Sequence, residues 1–316
     1  MLLVTFPVLP SVRALIASRR PTRFNDTGQR LTREALLREA QGCDVLMVTV
    51  GDRMDADTLA ALPASVRMIA TYSVGYDHVD VAAAKARGIA VFNTPDVLTD
   101  ATAETAMFLT LGAARRGNES LQLIHSRQWT GWTPVQLPGV QLSGKRMGIV
   151  GMGRIGQAIA TRAAAFGMEI HYHNRRPLPA TEDRGATYHA QLDTLLPLSQ
   201  FLMLACPLTP ETHHLLDDAR IARLPEGAIV VNIARGNVVK DDALIAALRS
   251  GKLRAAGLDV FTNEPHLDAR YYDLPSAFIL PHIGSSTVEA REGMAKILLD
   301  GFDALERGAA VSNRLA

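Results

Sequence analysis

The stretch from Met147 to Arg176 constrains the fold of this chain more than any other part of it. It opens with the apolar run Met147–Val150, which is typical of a buried strand, and then enters a turn with glycine at positions 151, 153 and 156. Apolar residues recur at helical spacing up to Gly167, which predicts a helix ended by that glycine. Glu169–His173 follows as a second predicted strand.

Each glycine of this turn has a physical reason to be there. Gly151 permits a tight turn, Gly153 lets the backbone approach a pyrophosphate, and Gly156 lets the helix pack closely on the strand. The N-terminus of the helix then offers free N–H groups to phosphates. Glycines also mark ordinary turns, but the strand before and the helix after favour a dinucleotide-binding turn.

The second strand ends in Asn174-Arg175-Arg176, about 20 residues past the glycines, where an NAD-specific site usually carries a carboxylate for the ribose hydroxyls. No carboxylate stands there. Two guanidinium groups offer permanently charged, bidentate donors to a 2′-phosphate, so the sequence predicts a preference for NADP(H) over NAD(H). The alternative is a solvated pair of arginines at a strand end.

Short apolar runs alternate with helical patterns on both sides of the glycine turn, which predicts parallel sheets covered by helices. The predicted strands are Leu2–Phe6, Val45–Val50, Met68–Thr71, Ile89–Phe92, Phe201–Ala205, Ala228–Ile233, Ala255–Val260 and Phe278–Leu280. The predicted helices are Thr32–Ala40, Asp57–Leu62, Val79–Arg87, a connector from Thr99 to Arg116, Asp241–Arg249 and Thr287–Arg307. We therefore expect an α/β fold of two doubly wound domains. A Rossmann nucleotide domain (98–286) is inserted into a flavodoxin-like substrate domain (1–97 and 287–316).

Composition limits the classes of partner. The chain has 316 residues and a net charge of +1, from 33 Lys and Arg against 32 Asp and Glu, which gives no electrostatic case for nucleic acid or an anionic membrane. The apolar N-terminus lacks a basic leader, and no uncharged run is long and unbroken enough to span a bilayer. Cys43 and Cys206 make no disulfide framework. We expect a cytoplasmic protein whose partners are small molecules or other subunits.

Three polar residues, Arg235, Glu264 and His282, follow the carboxyl ends of three strands of the predicted nucleotide domain. Hydride transfer to a 2-keto acid needs a cation for the carboxylate, which Arg235 suits, and a proton donor near neutral pH, which His282 suits. Glu264 suits the third task, which is to orient the imidazole and favour its charged form. The alternatives are that Arg235 forms a surface ion pair, that Glu264 is a solvated loop carboxylate and that His282 is a hydrogen-bonded core histidine. All three alternatives holding at once is disfavoured, because the three residues occur together with a nucleotide-binding turn.

Four histidines and a tryptophan-containing segment lie outside this set of three residues. His171 and His173 share a strand face and His213-His214 lie in a loop, but no third ligand stands at a recognisable spacing, so we predict no metal site.

The segment Gln128–Gly144 contains Trp129 and Trp132 and is typical of an ordered arm. Tryptophan in an arm indicates a subunit contact. The alternative, that both rings cap the local core, stays open.

The ordered motifs of the chain resemble the D-2-hydroxyacid dehydrogenases, and within them the NADP-dependent glyoxylate/hydroxypyruvate reductases, over nearly the whole length. The motifs that carry the resemblance are Ser73–His78, Thr94–Asp100 with Ala103-Glu104, Gly151–Gly156, Cys206–Thr209, Asn232–Gly236, Gly257–Phe261 with Glu264-Pro265, and Leu280–Ser285. The resemblance implies that Arg235 binds and positions the substrate, that His282 is the acid/base and that Glu264 is its partner.

The resemblance also implies the rest of the site. The backbone at Val74 and Gly75 would hold the substrate carboxylate, with Ser285 close by, and Trp132 would reach the active site of a partner subunit in a homodimer. Cofactor contacts would come from Arg154, Ile155, Arg175, Cys206, Pro207, Thr209, Ile233, Ala234, Asp259 and Gly284. Tyr76 stands where such reductases usually have a smaller aliphatic residue. The detailed shape of their substrate pocket therefore does not carry over to this chain.

Together these features predict an NADPH-dependent reductase that converts a small 2-keto acid to the D-2-hydroxy acid, with His282 as proton donor. The substrate stays open among glyoxylate, hydroxypyruvate, 2-ketogluconate and aromatic pyruvates. Two alternatives remain: an NAD-dependent D-2-hydroxyacid dehydrogenase with another substrate, and a nucleotide-sensing corepressor on the same fold. The sequence alone separates these poorly, because a corepressor can retain the catalytic residues.

Overall fold

The computed structural model describes residues 1–316, and the chain divides into two units. Residues 1–98 and 285–316 form one, which we call the outer unit, and residues 99–284 form the other, the inserted unit. Each has its own parallel sheet. The predicted fold class, two doubly wound α/β domains with one inserted in the sequence of the other, is confirmed.

The outer unit contains a five-stranded parallel sheet. Its strands are β1 (Leu2–Val4), β2 (Thr22–Phe24), β3 (Val45–Val48), β4 (Met68–Thr71) and β5 (Ala90–Phe92). Its helices are α1 (Pro10–Arg19), α2 (Arg33–Glu39), α3 (Ala56–Ala61), α4 (Val81–Ala86) and, after the chain returns, α11 (Val288–Glu306). The strand order β2-β1-β3-β4-β5 is that of flavodoxin-like sheets. All residues of β1, β3 and β4 are buried, which explains why these strands are continuous apolar runs.

The inserted unit contains a seven-stranded parallel sheet. Its strands are β6 (Arg146–Val150), β7 (Glu169–His173), β8 (Thr187–Tyr188), β9 (Phe201–Leu204), β10 (Ala228–Asn232), β11 (Leu253–Leu258) and β12 (Ala277–Ile279). Its helices are α5 (Thr99–Ala114), α6 (Gly117–His125), α7 (Arg154–Ala165), α8 (Leu192–Leu195), α9 (Asp218–Arg223) and α10 (Asp241–Ser250). The order β12-β11-β10-β9-β6-β7-β8 is the Rossmann order with one added edge strand. No helix of the chain is both long and apolar enough to cross a lipid bilayer.

Several elements of the structure were not predicted from the sequence. Helix α1 and strand β2 were missed because α1 buries only Val12 and Ile16 and is attached to α11 by ion pairs distant in sequence, such as Arg19 Nη1 to Asp300 Oδ1 at 2.7 Å. The predicted connector helix ends earlier, because Arg116 adopts a left-handed conformation and a separate helix, α6, starts at Gly117.

The C-terminal residues, which show no sequence pattern, are ordered by tertiary contacts within the outer unit. The Leu315 amide donates to the Val91 carbonyl at 2.7 Å. Asn313 is buried and its amide donates to the Asn93 carbonyl at 3.0 Å. Local periodicity cannot show such contacts, because they join residues more than 200 positions apart.

Candidate active site

A cavity of about 830 Å³ lies beside the carboxyl end of β6, at the glycine turn. Strands β6 and β9 are neighbours, yet the chain leaves β6 towards β7 on one side and continues from β9 to β10 on the other. Ligands of open parallel sheets bind at this reversal of strand order. Its walls include predicted cofactor residues from three segments, namely Gly151, Gly153, Asn174, Arg175, Arg176, Cys206, Pro207 and Thr209.

The three glycines of the turn differ in what surrounds them. A Cβ at Gly151, whose φ is +97°, would lie 2.6 Å from the Cys206 nitrogen, and one at Gly156 would lie 2.3 Å from the Gly151 oxygen. Protein packing therefore requires both. Gly153 precedes the first residue of α7 and is exposed, and a Cβ added there would meet no atom within 4 Å. The open space above Gly153, at a helix N-terminus, fits a pyrophosphate.

Charged side chains gather at the far end of this cavity, past β7. Arg175 and Arg176 are exposed in its wall, whereas Asn174 accepts a 2.7 Å hydrogen bond from the Met152 amide and so supports the glycine turn. Two titratable wall residues were missed by sequence reasoning, His173 and Glu211. A hydrogen bond from Thr209, its own backbone and the charge of Arg175 lower the pKa of Glu211. The only sequence signal for Glu211 is its place in the loop after β9.

Cys206 forms part of the same wall and is buried. Burial raises the pKa of its thiol to about 11, so the side chain is a neutral, apolar surface at neutral pH. The remaining predicted cofactor residues lie outside this wall. Arg154, Ile155 and Gly156 form the first turn of α7, Ile233 and Ala234 follow β10, Asp259 follows β11, and Gly284 follows β12.

Glu264 and His282 are in direct contact. The Glu264 Oε2 lies 2.6 Å from the His282 Nδ1, and the Glu264 Oε1 accepts a 2.8 Å hydrogen bond from the Phe261 amide. Because a carboxylate accepts, His282 Nδ1 carries the proton and Nε2 is the nitrogen left for chemistry. Burial alone would raise the pKa of Glu264, but the hydrogen bond and charge of His282, the Phe261 amide and the charge of Arg235 hold it below its usual value.

The loop that carries His282 is anchored by Asp259. One carboxylate oxygen of Asp259 accepts from the Ile283 amide and the other from the Gly284 amide, both at 2.7 Å. Asp259 is buried, and burial raises its pKa in spite of these amides. His282 itself adopts a left-handed conformation with φ at +53°. Residues other than glycine avoid the left-handed region. The two hydrogen bonds that Asp259 accepts therefore hold His282 in a strained backbone geometry next to Glu264.

Arg235 follows β10 and is positioned by its own loop. The side chain of buried Asn232 donates to the Arg235 carbonyl at 2.9 Å and accepts from the Ala234 amide at 3.0 Å. A Cβ at Gly236 would lie 1.9 Å from the Phe261 carbonyl carbon, so this loop presses against the segment that leads to Glu264. Arg235 is near enough to Glu264 to lower the pKa of that carboxyl. The inserted unit thus brings a guanidinium, a carboxylate and an imidazole to the carboxyl ends of β10, β11 and β12.

The predicted substrate residues Val74, Gly75 and Ser285 belong to the outer unit. The loop after β4 is held by the Asn93 side chain, which donates to the Val74 carbonyl at 2.9 Å, and by the Ser73 hydroxyl, which donates to the Gly75 carbonyl at 2.6 Å. Tyr76 is exposed in this loop.

In the inserted unit, Trp132 is 79% exposed, so it does not cap the core of this chain.

Comparisons with known proteins agree with this architecture. Residues 107–284 match the model of the NAD-binding domain of the D-isomer specific 2-hydroxyacid dehydrogenases. A glycerate dehydrogenase of Hyphomicrobium methylovorum is 42% identical over 100% of this chain and 98% of its own length. A glyoxylate reductase of Thermococcus onnurineus is 42% identical over 88% of this chain and 84% of its own length.

Among the similar solved structures is an NADPH-dependent glyoxylate/hydroxypyruvate reductase from Sinorhizobium meliloti in complex with NADP and malonate. The TM-score is 0.88 and the identity 32%, and the match covers 100% of this chain and 96% of the other. Identities of 42% and 32% over the whole of this chain indicate a shared family as well as a shared fold.

Proposed function

Because this chain belongs to the D-isomer specific 2-hydroxyacid dehydrogenase family, we propose that it reduces a small 2-keto acid to the D-2-hydroxy acid with NADPH. Glyoxylate and hydroxypyruvate are the substrates we favour. The names of the Thermococcus and Sinorhizobium relatives support this choice.

The observation that carries the proposal is the 2.6 Å hydrogen bond between Glu264 and His282, with Arg235 close to the same carboxylate. A core histidine would not need a carboxylate partner on a strained loop beside a guanidinium. A proton donor for a carbonyl oxygen needs that arrangement, since the carboxylate fixes the ring and favours the imidazolium.

We assign three roles to the residues of this chain. Arg235 binds the substrate carboxylate through its planar fork of N–H groups. His282 holds a proton on Nε2 and releases it to the carbonyl oxygen as that oxygen becomes a hydroxyl, while Glu264 accepts from Nδ1 throughout. When bound, the reduced nicotinamide supplies the hydride that this proton complements. The amides near Val74 and Gly75 would add donors for the substrate carboxylate.

Selection of NADPH rests on the charged end of the cavity. Arg175 and Arg176 are exposed in its wall and offer bidentate donors to a 2′-phosphate. A carboxylate at the end of β7 would repel that phosphate, and the chain has Asn174 there, whose side chain is engaged by the glycine turn. The structure of the Sinorhizobium relative with NADP supports the same choice.

The quaternary arrangement and the cellular location belong to the same proposal. Trp132 and Trp129 are both exposed in an arm that contains no helix or strand, and an exposed tryptophan is a frequent anchor of subunit contacts. We propose a homodimer in which Trp132 approaches the substrate site of the partner. Both cysteines are free thiols, in keeping with a reducing cytoplasm.

A spectrophotometric panel tests the proposal. Glyoxylate, hydroxypyruvate, 2-ketogluconate and phenylpyruvate are each offered with NADPH and with NADH, and the loss of reduced nicotinamide is followed. We expect turnover with NADPH and glyoxylate or hydroxypyruvate, at a higher kcat/KM than with NADH. A higher kcat/KM with NADH would contradict the cofactor assignment. NADPH binding without turnover of any keto acid would instead support the nucleotide-sensing alternative.

A further inference from the structure

A chain of histidines runs along β7 and the end of β8 towards the charged end of the cavity. Glu169 Oε1 lies 3.0 Å from His171 Nε2, and His171 Nδ1 lies 3.0 Å from His189 Nε2. His173 Nδ1 lies 2.8 Å from the backbone oxygen of His189. Of these residues only His173 lines the cavity, beside Asn174, Arg175 and Arg176.

Hydrogen-bond chemistry assigns the proton positions in this chain. A carboxylate only accepts, so His171 Nε2 carries a proton, and His171 Nδ1 then accepts from His189 Nε2 in the neutral state. Both nitrogens of His171 thus have partners within this chain of side chains, and His171 does not line the cavity.

His173 differs from the other two. Its Nδ1 faces a carbonyl oxygen, which only accepts, so Nδ1 carries a proton in every protonation state. Nε2 is the nitrogen that titrates. A neutral Nε2 presents a lone pair, which repels an anion, whereas a protonated Nε2 presents a donor and a positive charge.

We propose that His173 is a third cationic member of the 2′-phosphate site, with Arg175 and Arg176, and that NADPH binding recruits a proton to His173 Nε2. The inference rests on the proposed use of NADPH and extends it. NADH has no 2′-phosphate and would recruit no such proton. The contribution of His173 to the selectivity for NADPH over NADH then increases as the pH falls.

The charges around His173 support this assignment. Arg175 and Arg176 follow it in sequence, Glu211 lies in the opposite loop of the same cavity, and the neighbouring β6 contributes the uncharged Val150 and Gly151. Of the neighbouring histidines, His171 lies on β7 itself and His189 directly follows β8. Burial, with the charges of His171 and His173, lowers the pKa of His189, so the charged form of that ring is disfavoured. Glu211 offsets part of the repulsion between His173 and the arginines.

Dissociation constants of NADPH and NADH, measured by titration calorimetry between about pH 5.5 and 8.5, test the proposal. The comparison uses the unmodified protein, His173→Gln, and His125→Gln as a control for loss of an exposed histidine in α6. Glutamine keeps a side-chain donor but does not titrate. We expect the Kd of His173→Gln for NADPH, relative to the unmodified protein, to rise to about tenfold at the acidic end and to approach unity at the alkaline end.

The direction follows from linkage. A bound phosphate favours the charged imidazole, so the added affinity is present at low pH and is lost as the pH rises through the titration of the complex. The 2′-phosphate of free NADPH titrates near pH 6, and because the same free ligand is used with both proteins this part of the pH dependence cancels in the ratio. For NADH the ratio should stay near unity at every pH, and His125→Gln should match the unmodified protein.

A second measurement does not depend on the variant. Calorimetry of the unmodified protein at about pH 7.5, in buffers of different ionisation enthalpy, should show proton uptake with NADPH and none with NADH. A Kd ratio independent of pH, or equal proton exchange with both nucleotides, would overturn the role of His173 while leaving NADPH preference intact. Tighter binding of NADH than of NADPH at all pH values would contradict the proposed function itself.

Discussion

The carboxylate of Asp259 accepts the amide hydrogen of Gly284 at 2.7 Å, and its other oxygen accepts that of Ile283, so one buried side chain fixes the loop that carries His282. The loop holds His282 at a φ of +53°. The position of the imidazole therefore depends on a residue more than 20 positions away in sequence.

Asp259→Asn should replace one acceptor by an amide donor that faces a backbone N–H. The His282 loop would then relax, and a shift of about 1 Å at the proton donor costs about a hundredfold in kcat. Both Asp259 carboxylate oxygens accept from backbone amides, so the Kd for NADPH should change less than kcat, although the family resemblance implies a cofactor contact at Asp259. A variant with native kcat, or one that loses NADPH affinity in proportion to kcat, would show that Asp259 acts otherwise.

Glu264→Gln should change the pH profile of reduction. Reduction needs a protonated His282, so activity falls as the pH rises, and loss of the carboxylate that accepts from Nδ1 should move this alkaline limb towards lower pH. The pKa of Glu264 is held below its usual value, so its effect on stability is present near neutral pH and is lost as the pH falls through that depressed value. Profiles of kcat/KM for both proteins measure the shift, and superimposable profiles would refute it.

Arg175→Gln and Glu211→Gln should affect NADPH binding in opposite directions. The first removes a charged donor and should weaken NADPH binding about ten- to hundredfold with little effect on NADH. The second removes a carboxylate that interacts with Arg175 and should tighten NADPH binding roughly twofold to fivefold, less at high salt. Fluorescence titration with both nucleotides measures the changes. Equal losses for NADPH and NADH would mean that Arg175 does not contact the 2′-phosphate.

Gly151→Ala and Gly153→Ala separate packing from ligand approach. A Cβ at Gly151 meets the Cys206 backbone at 2.6 Å, so Gly151→Ala should lose about 3 kcal/mol of unfolding free energy. At Gly153 no atom lies within 4 Å, so Gly153→Ala should keep its Tm and lose nucleotide affinity. Thermal unfolding and NADPH titration of both variants test this. Unchanged affinity in Gly153→Ala would place the phosphates elsewhere.

Much of the fold was predictable from local pattern. The strand, glycine turn and helix around Gly151 are specified by neighbours in sequence, and buried parallel strands such as β3 and β4 are plain apolar runs. Helix α1 was not predictable, because the ion pairs of Arg19 with α11 place it, and local periodicity does not report them. The same holds for Asn313, whose buried side chain donates to the Asn93 carbonyl after β5 and to the Ile297 carbonyl of α11.

The candidate site was predictable to a similar extent. The chemistry of Arg235, Glu264 and His282 follows from residue type and from strand ends that meet at one edge of a sheet. Their roles stay predictions, but the structure shows Glu264 and His282 in contact. His173 and Glu211 were missed as cavity residues, because strand β7 and the loop after β9 meet only in the folded sheet. The support that Asp259 gives to the His282 loop was missed for the same kind of reason, because the segments after β11 and β12 meet only in the folded sheet.

Turnover of His282→Gln with NADPH and hydroxypyruvate tests the central claim most directly, provided that the Kd for NADPH is measured on the same sample. We expect kcat to fall by roughly a hundredfold to ten-thousandfold while the Kd for NADPH and the Tm stay unchanged, because the imidazole donates the proton and does not hold the nucleotide. Near-native kcat in that variant would contradict the assignment of His282 as the proton donor.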